Sequence, residues 1–462
     1  MNRWRPSSIT SRKNHVVLLV VSTLLISCHP SVSSKPEIPP QGPHQRQQEQ
    51  FGKKQPPVEP VHVLTGIEVL EKLKFRPLKG KTVGVIANQT SVDRRGKHLV
   101  DLLDLAPDVK VGAIFAPEHG FRGRHSAGAT ISDTIDSETG APIYSLFGKI
   151  RKPTPQMLQG LDALVFDIQD IGARFYTYIS TLGYVMQAAA ESKLPLFILD
   201  RPNPLSGHID GNVLDYGFRS FVGMYPIPIQ HGLTVGELAR LIQGEVWLAG
   251  VDSLELHIVT MDGWTRDLFF NETDLPWRPT SPNMTNMNAA MLYPGLCLLE
   301  ATNCSEGRGT EHPFEWIGAP YIKGRELAQA LWKLRPSGLS IEPVDFVPRS
   351  LPGRAEHPKY LNERVEGVAL KVLDPHTFHP VPFGVNLLVT LKKLYPEQFK
   401  WRSSMAIDRL WGDDRLRKLI DAGASAEEII ATYQKELAHF KATAARYLLY
   451  PAANRIPVVQ GR

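Results

Sequence analysis

The sequence predicts an α/β protein, a doubly wound domain built on a parallel sheet and followed by a smaller α+β domain. Three observations carry this reading. Short apolar runs recur along the first part of the chain with helical segments between them. Each run is nearly continuous rather than alternating, as strands buried on both faces are, and each stops at Asn, Glu or Asp. Past about residue 290 this alternation gives way to a mixture of strand-like and helical stretches.

The four runs are KTVGVIAN (81–88), VKVGAIFAPEHG (109–120), ALVFDIQD (163–170) and LPLFILDRPNP (194–204). Helices are predicted over 66–73, 175–192 and 234–250. The last opens on Thr234, with Glu237 three residues on completing a capping-box pattern. Beyond them, 288–314 reads as a strand-like run emptying into a Gly-rich polar loop. The stretch 324–334 is amphipathic, 367–375 reads as a strand, and 383–395 and 425–450 read as helices.

The N-terminus is organised differently. Arg3, Arg5, Arg12 and Lys13 give a basic start, and Val16 through Ile26 form an apolar run too short for a comfortable membrane span but suited to a signal-peptide core. It ends in LISC, Leu25 to Cys28, which resembles the bacterial lipobox. That resemblance implies cleavage before Cys28 and lipidation of its thiol, tethering a soluble domain to a membrane. The competing reading is an ordinary signal peptide with a chance cysteine. His29, rather than Asp, follows the cysteine and points to the periplasmic face of the outer membrane by analogy with proteobacterial sorting. Residues 29–60 are rich in Pro, Gln, Ser and Lys, too poor in apolar side chains to offset their ordering entropy, and read as a disordered tether. The expected organisation is therefore signal peptide 1–28, tether 29–60, catalytic α/β domain 61–287 and α+β domain 288–462.

A formal net charge of only +5, partly located in the leader and tether, gives no sign of a nucleic-acid partner. Cys297 and Cys304 are the only cysteines past Cys28. No CxxC, HExxH or HxH spacing marks a metal site, and no GxGxxG or P-loop follows any strand, so no cofactor is expected. The two cysteines either pair in an oxidising compartment or lie buried as free thiols.

In a doubly wound sheet, ligands bind beyond the carboxyl ends of the strands. The polar clusters fall there: Asn88-Gln89, Glu118-His119, Asp167 to Asp170, and Asp200-Arg201. Glu118, in APEHGFRG, has the apolar neighbours Phe115, Ala116 and Phe121, which suit a proton donor. The bland alternative is a Glu paired with Arg122 or Arg124. FDIQDIGARFYTY offers Asp167, Asp170, Arg174 and Tyr176, a set suited to a polyhydroxylated anionic ligand, against the alternative of an Asp–Arg pair bracing the loop. ATNCSEGRGTEHPF offers Asn303, Glu306 and Arg308 as an opposite wall, against a surface loop held by its own ion pairs. Asp200, Arg201 and Asn203 lie in a proline-stiffened loop. His231 stands just before the helix at Thr234, either at substrate or as a packing residue. No GxSxG elbow or SxxK set supports a serine hydrolase.

PEHGFRG, FDIQDIGARFYTY, DRPNPLSG, GLTVGELA and EGRGTEHPFEWIGAP, in this order, resemble the NamZ-like exo-β-N-acetylmuramidases from about residue 63 to the C-terminus. The resemblance implies a Rossmann-like first domain, a smaller second domain and an active-site cleft between them. It implies release of terminal β-1,4-linked N-acetylmuramic acid from the non-reducing end of peptidoglycan fragments. Glu118 is expected as the catalytic acid/base, with Asp167, Asp170 and Glu306 competing for the second role. His119, Arg174, Tyr176, Asp200, Arg201, Asn203, His231, Asn303 and Arg308 are expected at the substrate. Arg174 or Arg308 is expected to pair with the lactyl carboxylate that distinguishes muramic acid from glucosamine. The rival reading is a lipoprotein that binds muropeptides without cleaving them.

Overall fold

The computed structural model describes residues 59–118, 120–121 and 134–452. The expected signal peptide, Cys28, nearly all of the tether, His119, Arg122 and Arg124 lie outside these residues.

All four apolar runs are strands. β1 (Lys81–Ala87), β2 (Val109–Ala116), β5 (Ala163–Asp167) and β6 (Leu196–Leu199) belong to one seven-stranded sheet with β3 (Thr134–Ile135), β4 (Pro142–Ser145) and β9 (Leu256–Val259). The order across the sheet is β3-β4-β2-β1-β5-β6-β9, and only the edge strand β3 runs antiparallel. The chain passes from β1 outward to β2 and β4, then returns to β5 and continues outward to β6 and β9. The strand order therefore reverses between β1 and β5, where a doubly wound sheet opens its crevice.

β1 shows why these runs are continuous. Val83, Val85 and Ala87 enter the apolar layer formed with α1 (Gly66–Lys72) and α2 (Leu99–Asp104). Ile86 enters the opposite layer, with α3 (Tyr178–Ser192) and α4 (Val235–Gly244). Alternate side chains still point to opposite faces, but both faces are buried. The predicted capping box is present at α4: Thr234 Oγ1 accepts from the Glu237 N–H at 3.1 Å, and Glu237 Oε2 accepts from the Thr234 N–H at 3.0 Å.

The second part carries an antiparallel sheet of β10 (Trp316–Ala319), β12 (Val365–Val372) and β11 (Leu339–Phe346), in that order, with α6 (Gly324–Lys333) packed on it. A two-stranded ribbon, β7 (Asp210–Val213) with β8 (Pro228–Gln230), precedes it in the chain. The apolar layer around α3 and α4 continues without a break through Leu292, Phe314, Ile317, Val368, Leu388 and Trp411. From Glu59 onward the chain is one compact unit.

Two expectations are corrected. The run from 288 is not a strand but helix α5 (Met287–Leu296), continued by a 3-10 turn over Cys297–Ala301. Asn286 caps it by accepting from the Ala289 N–H at 2.9 Å. Residues 289–296 are all buried, so no polar face remained to reveal a helical period. α5 lies against α7 (Pro380–Leu394) so closely that a methyl on Gly295 or Gly384 would strike the other helix's backbone. The stretch 425–450 is not one helix but α10 (Ala426–Ala431), α11 (Gln434–Ala444) and a 3-10 turn over Ala445–Tyr447. The break falls where Tyr433 is buried against Trp411, their rings 5.7 Å apart. The two short helices α8 (Ser404–Trp411) and α9 (Arg415–Asp421) precede it. Cys297 and Cys304 are both buried free thiols, which decides between the two readings offered for them.

Candidate active site

The crevice at the reversal point is built from loops that hydrogen-bond to one another before any ligand arrives. After β1, Asn88 Oδ1 accepts from the backbone and hydroxyl of Thr90 at 2.9 and 2.6 Å. Thr90 Oγ1 in turn accepts from Gln169 N, beyond β5, at 3.0 Å, and the Ser91 hydroxyl donates to the Asp167 carbonyl. Gln89 Nε2 reaches across to the carbonyls of Pro279 and Thr280, each at 3.0 Å. Thr280 is also gripped by Tyr176, whose hydroxyl lies 2.7 Å from Oγ1, and by Tyr178, whose hydroxyl donates to the Thr280 carbonyl at 2.5 Å. The 279–281 segment is thereby fixed over the carboxyl ends of β1 and β5.

Glu118 and Asp170 both come close enough to Tyr176 for their charges to act on its phenol. Burial first, then the charges of Asp170 and Glu118, hold the Tyr176 phenol far above its ordinary range. Glu118 follows β2, is half-buried, and accepts from the Thr177 hydroxyl at 2.8 Å through Oε2. Asp170 is buried. Its Oδ2 accepts from the Gly172 N–H at 2.7 Å and lies 3.6 Å from His231 Nε2. Gly172 makes this turn possible: its φ is +81°, and a Cβ there would lie on Asn203. His231 Nδ1 accepts from the Leu233 N–H at 3.2 Å, which assigns the proton to Nε2, facing Asp170.

Four buried side-chain atoms around this crevice have no hydrogen-bond partner among the described residues: Asn88 Nδ2, Gln89 Oε1, Asp170 Oδ1 and His231 Nε2. Leaving such an atom unsatisfied costs about 1–3 kcal/mol, so native chains rarely do so without a ligand or water to complete it. Their concentration at a sheet reversal, beside two carboxyls, marks a site that binds something polar.

Several of the expected residues are held by protein partners instead. Asp167 is fully buried and gripped by Arg201, whose Nε and Nη2 lie 2.5 and 2.9 Å from its two oxygens. Arg201 also donates to the Val92 carbonyl. This pair braces the loops after β5 and β6, and Arg201 also lines a small cavity with Thr90 and Gln169. Asp200 pins the start of α4, accepting from Thr234 Oγ1 at 2.7 Å, the Gly236 N–H at 2.9 Å and the Tyr450 hydroxyl at 2.6 Å. Burial pushes its carboxyl up to about 6 despite these donors. Asn203 closes an Asx turn onto Leu205 and donates to the Leu233 carbonyl.

Arg174 is not in the crevice. Nη1 donates to the carbonyls of Asn212 and Ile227, and Nη2 to those of Leu410 and Trp411, at 2.6–2.8 Å. Burial lowers it to about 9, and it ties the β7–β8 ribbon to the end of α8.

Glu306 and Arg308 form a closed ionic knot. Glu306 lies 2.9 Å from Lys359 Nζ and 3.4 Å from Arg308 Nε, while Arg308 Nη2 lies 2.7 Å from Glu300. Burial would raise the Glu306 carboxyl, but Lys359 and Arg308 outweigh it and hold it below the ordinary range. A carboxylate so held is no proton donor. Asn303 accepts from the Tyr321 hydroxyl and the Lys400 N–H and donates to the Gln398 carbonyl, so it too is a structural residue.

Of the residues expected at the site, the structure brings together Glu118, Asp170, Tyr176 and His231. It adds Asn88, Gln89, Thr177, Tyr178 and Thr280. Arg354, in the loop after β11, is tied to the segment that follows Thr280. Arg354 Nη1 pairs with Glu311 at 3.0 Å, while Nε and Nη2 are buried without a hydrogen-bond partner among the described residues. Its carbonyl accepts from Asn283 Nδ2 at 2.8 Å, three residues along from Thr280. The one sequence signal for this segment was the TSPN turn at 280–283.

The chain matches two family profiles over most of its described length. The N-terminal part of exo-β-N-acetylmuramidase NamZ matches residues 83–288, and its C-terminal part matches residues 291–450. Over 389 residues it is 44% identical to the peptidoglycan β-N-acetylmuramidase NamZ of Bacillus subtilis, covering 84% of this chain and 91% of that one. Two crystal structures of DUF1343 family proteins from Bacteroides fragilis superpose on it. One gives a TM-score of 0.77 at 35% identity, over 86% of this chain and all of the other. The second gives 0.69 at 37% identity, over 85% and 99%.

Proposed function

The chain belongs to the NamZ exo-β-N-acetylmuramidase family, and we propose that Glu118 and Asp170 carry its chemistry. It is a glycoside hydrolase that releases terminal N-acetylmuramic acid from the non-reducing end of peptidoglycan fragments, as in cell-wall turnover and recycling. The observation that supports this reading is the difference among the carboxylates. Asp167 and Glu306 are locked in buried ion pairs, whereas Asp170 keeps one buried oxygen with no hydrogen-bond partner among the described residues, and Glu118 is half-buried with its carboxylate on the Thr177 hydroxyl.

Cleavage needs a proton delivered to the glycosidic oxygen and a negative charge beside the oxocarbenium-like carbon. Glu118 supplies the proton, its carboxyl oriented by the Thr177 hydroxyl. Asp170 supplies the charge, oriented by the Gly172 N–H and backed by His231. Arg354 takes the role expected of Arg174 or Arg308. Its Nε and Nη2 form a side-on pair that fits one carboxylate, and the lactyl group of muramic acid supplies one.

The test is release of the chromophore from an aryl β-N-acetylmuramic acid glycoside by the wild type and by Glu118→Gln. We expect turnover of the muramic glycoside, little of its N-acetylglucosamine counterpart, and a loss on the order of a thousandfold in the variant at unchanged melting temperature. A folded variant with near wild-type turnover removes Glu118 from catalysis.

The location belongs to the same proposal. The basic start, the apolar run and the LISC box support an exported lipoprotein anchored through Cys28, with residues 29–60 as tether and the catalytic part facing the periplasm from the outer membrane. Labelled fatty acid fed to cells making the full chain should enter it, and Cys28→Ser should abolish that. Equal labelling of the variant rejects the anchor.

A further inference from the structure

We propose that His208, Asp210 and His379 form a binding site for a zinc-like divalent transition-metal ion. His208 and Asp210 flank Ile209 where the chain enters β7, and residues two apart along an extended strand project to the same side. His379 is the N-cap residue of α7, some 170 positions on. One donor atom from each of the three side chains lies within 4.8 Å of the other two. The two imidazole rings are 5.3 Å apart between centroids.

Two further observations point to a ligand. His208 Nε2 is buried and has no hydrogen-bond partner among the described residues. The Asp210 carboxylate is already oriented: Oδ1 accepts from the Gly211 N–H at 2.7 Å and lies 3.5 Å from the Tyr433 hydroxyl.

Two imidazoles and one carboxylate select zinc or its neighbours over magnesium or calcium, which prefer all-oxygen sites. Tetrahedral zinc with bonds of about 2.1 Å needs ligand atoms about 3.4 Å apart. His379 is exposed, so its side chain is the one to turn inward on an ion. Three protein ligands leave a fourth position for water. A cavity of about 400 Å³, lined by His208, Gln230, His376 and His379 among others, adjoins the cluster. Gln230 Oε1, also buried and without a hydrogen-bond partner among the described residues, offers that water an acceptor. None of these residues belongs to the Glu118–Asp170 crevice, so the site does not depend on the hydrolytic assignment.

The experiment titrates Co²⁺ into the untagged full chain after chelator treatment. One equivalent should produce the visible d–d bands of a four- or five-coordinate ion, and Zn²⁺ should displace it. His208→Ala and His379→Gln should each weaken binding about tenfold or more, while muramic acid release by the metal-free protein stays as in the wild type. His379 is exposed, so its variant keeps the test sound if His208→Ala folds poorly. No d–d band at one equivalent, or equal affinity in the His379→Gln variant, overturns the site.

Discussion

Two polar loops, one at Asp170 and one at Glu306, present the same residue types to opposite ends. Each follows a buried apolar segment, and each combines acidic side chains with an arginine. Beside the first, Asp167 at the end of β5 is paired with Arg201 from the loop after β6, and Asp170 Oδ1 is buried with no hydrogen-bond partner among the described residues. In the second, Glu306 has two cationic partners and Arg308 has two anionic ones. A carboxylate that is fully paired stabilises the fold, and one left partly unpaired is available to a ligand. Composition does not separate the two cases; the partner inventory does.

The largest expected effect separates the loops by what fails. Asp170→Asn should lower kcat by on the order of a thousandfold with little change in unfolding midpoint. Glu306→Gln should instead lower stability by about 3 kcal/mol or more, because it leaves Lys359 and Arg308 buried beside a neutral amide. If Asp170→Asn unfolds the protein while Glu306→Gln loses only turnover, the two roles are reversed.

A smaller effect distinguishes the arginines. Arg354→Met should raise KM for the muramic glycoside by about tenfold to a hundredfold, the worth of a charge-assisted pair, and narrow the preference over the glucosamine analogue. Arg174→Met should lower the urea midpoint and leave the preference untouched, since four backbone carbonyls lose their donor. An unchanged sugar preference in Arg354→Met rejects the lactyl contact.

The smallest effect is a difference in pH dependence. Asp200 titrates near 6 in the fold, above the ordinary aspartate value, so the native state holds its proton more tightly than the unfolded chain. Its favourable contribution is complete at low pH and is lost as pH rises through about 4 to 6, with a slope bounded by about 1.4 kcal/mol per pH unit. Glu306, held low, has the opposite sign: its contribution is present at neutral pH and disappears as pH falls below the ordinary glutamate range. Urea midpoints of Asp200→Asn and Glu306→Gln against the wild type, from about pH 2 to 7, check both signs. Parallel curves for all three proteins reject the assignment.

The sequence by itself determined the parallel sheet and its carboxyl edge. Strands buried on both faces must be continuous apolar runs, and the chain must leave them through polar residues, so β1, β2, β5 and β6 and the placement of Glu118 and Asp170 were legible. The capping box at Thr234 was legible for the same local reason. Helix α5 was not, because a helix buried all round has no polar face to give it a period. The tertiary structure alone decided which charges are spent. Arg174 finds its carbonyls 236 and 237 residues away, Lys359 closes on Glu306 from 53, and His379 meets His208 from across the chain. Such pairings depend on packing between distant segments, and a charged side chain carries the same letter whether the fold has given it a partner or left it for a ligand.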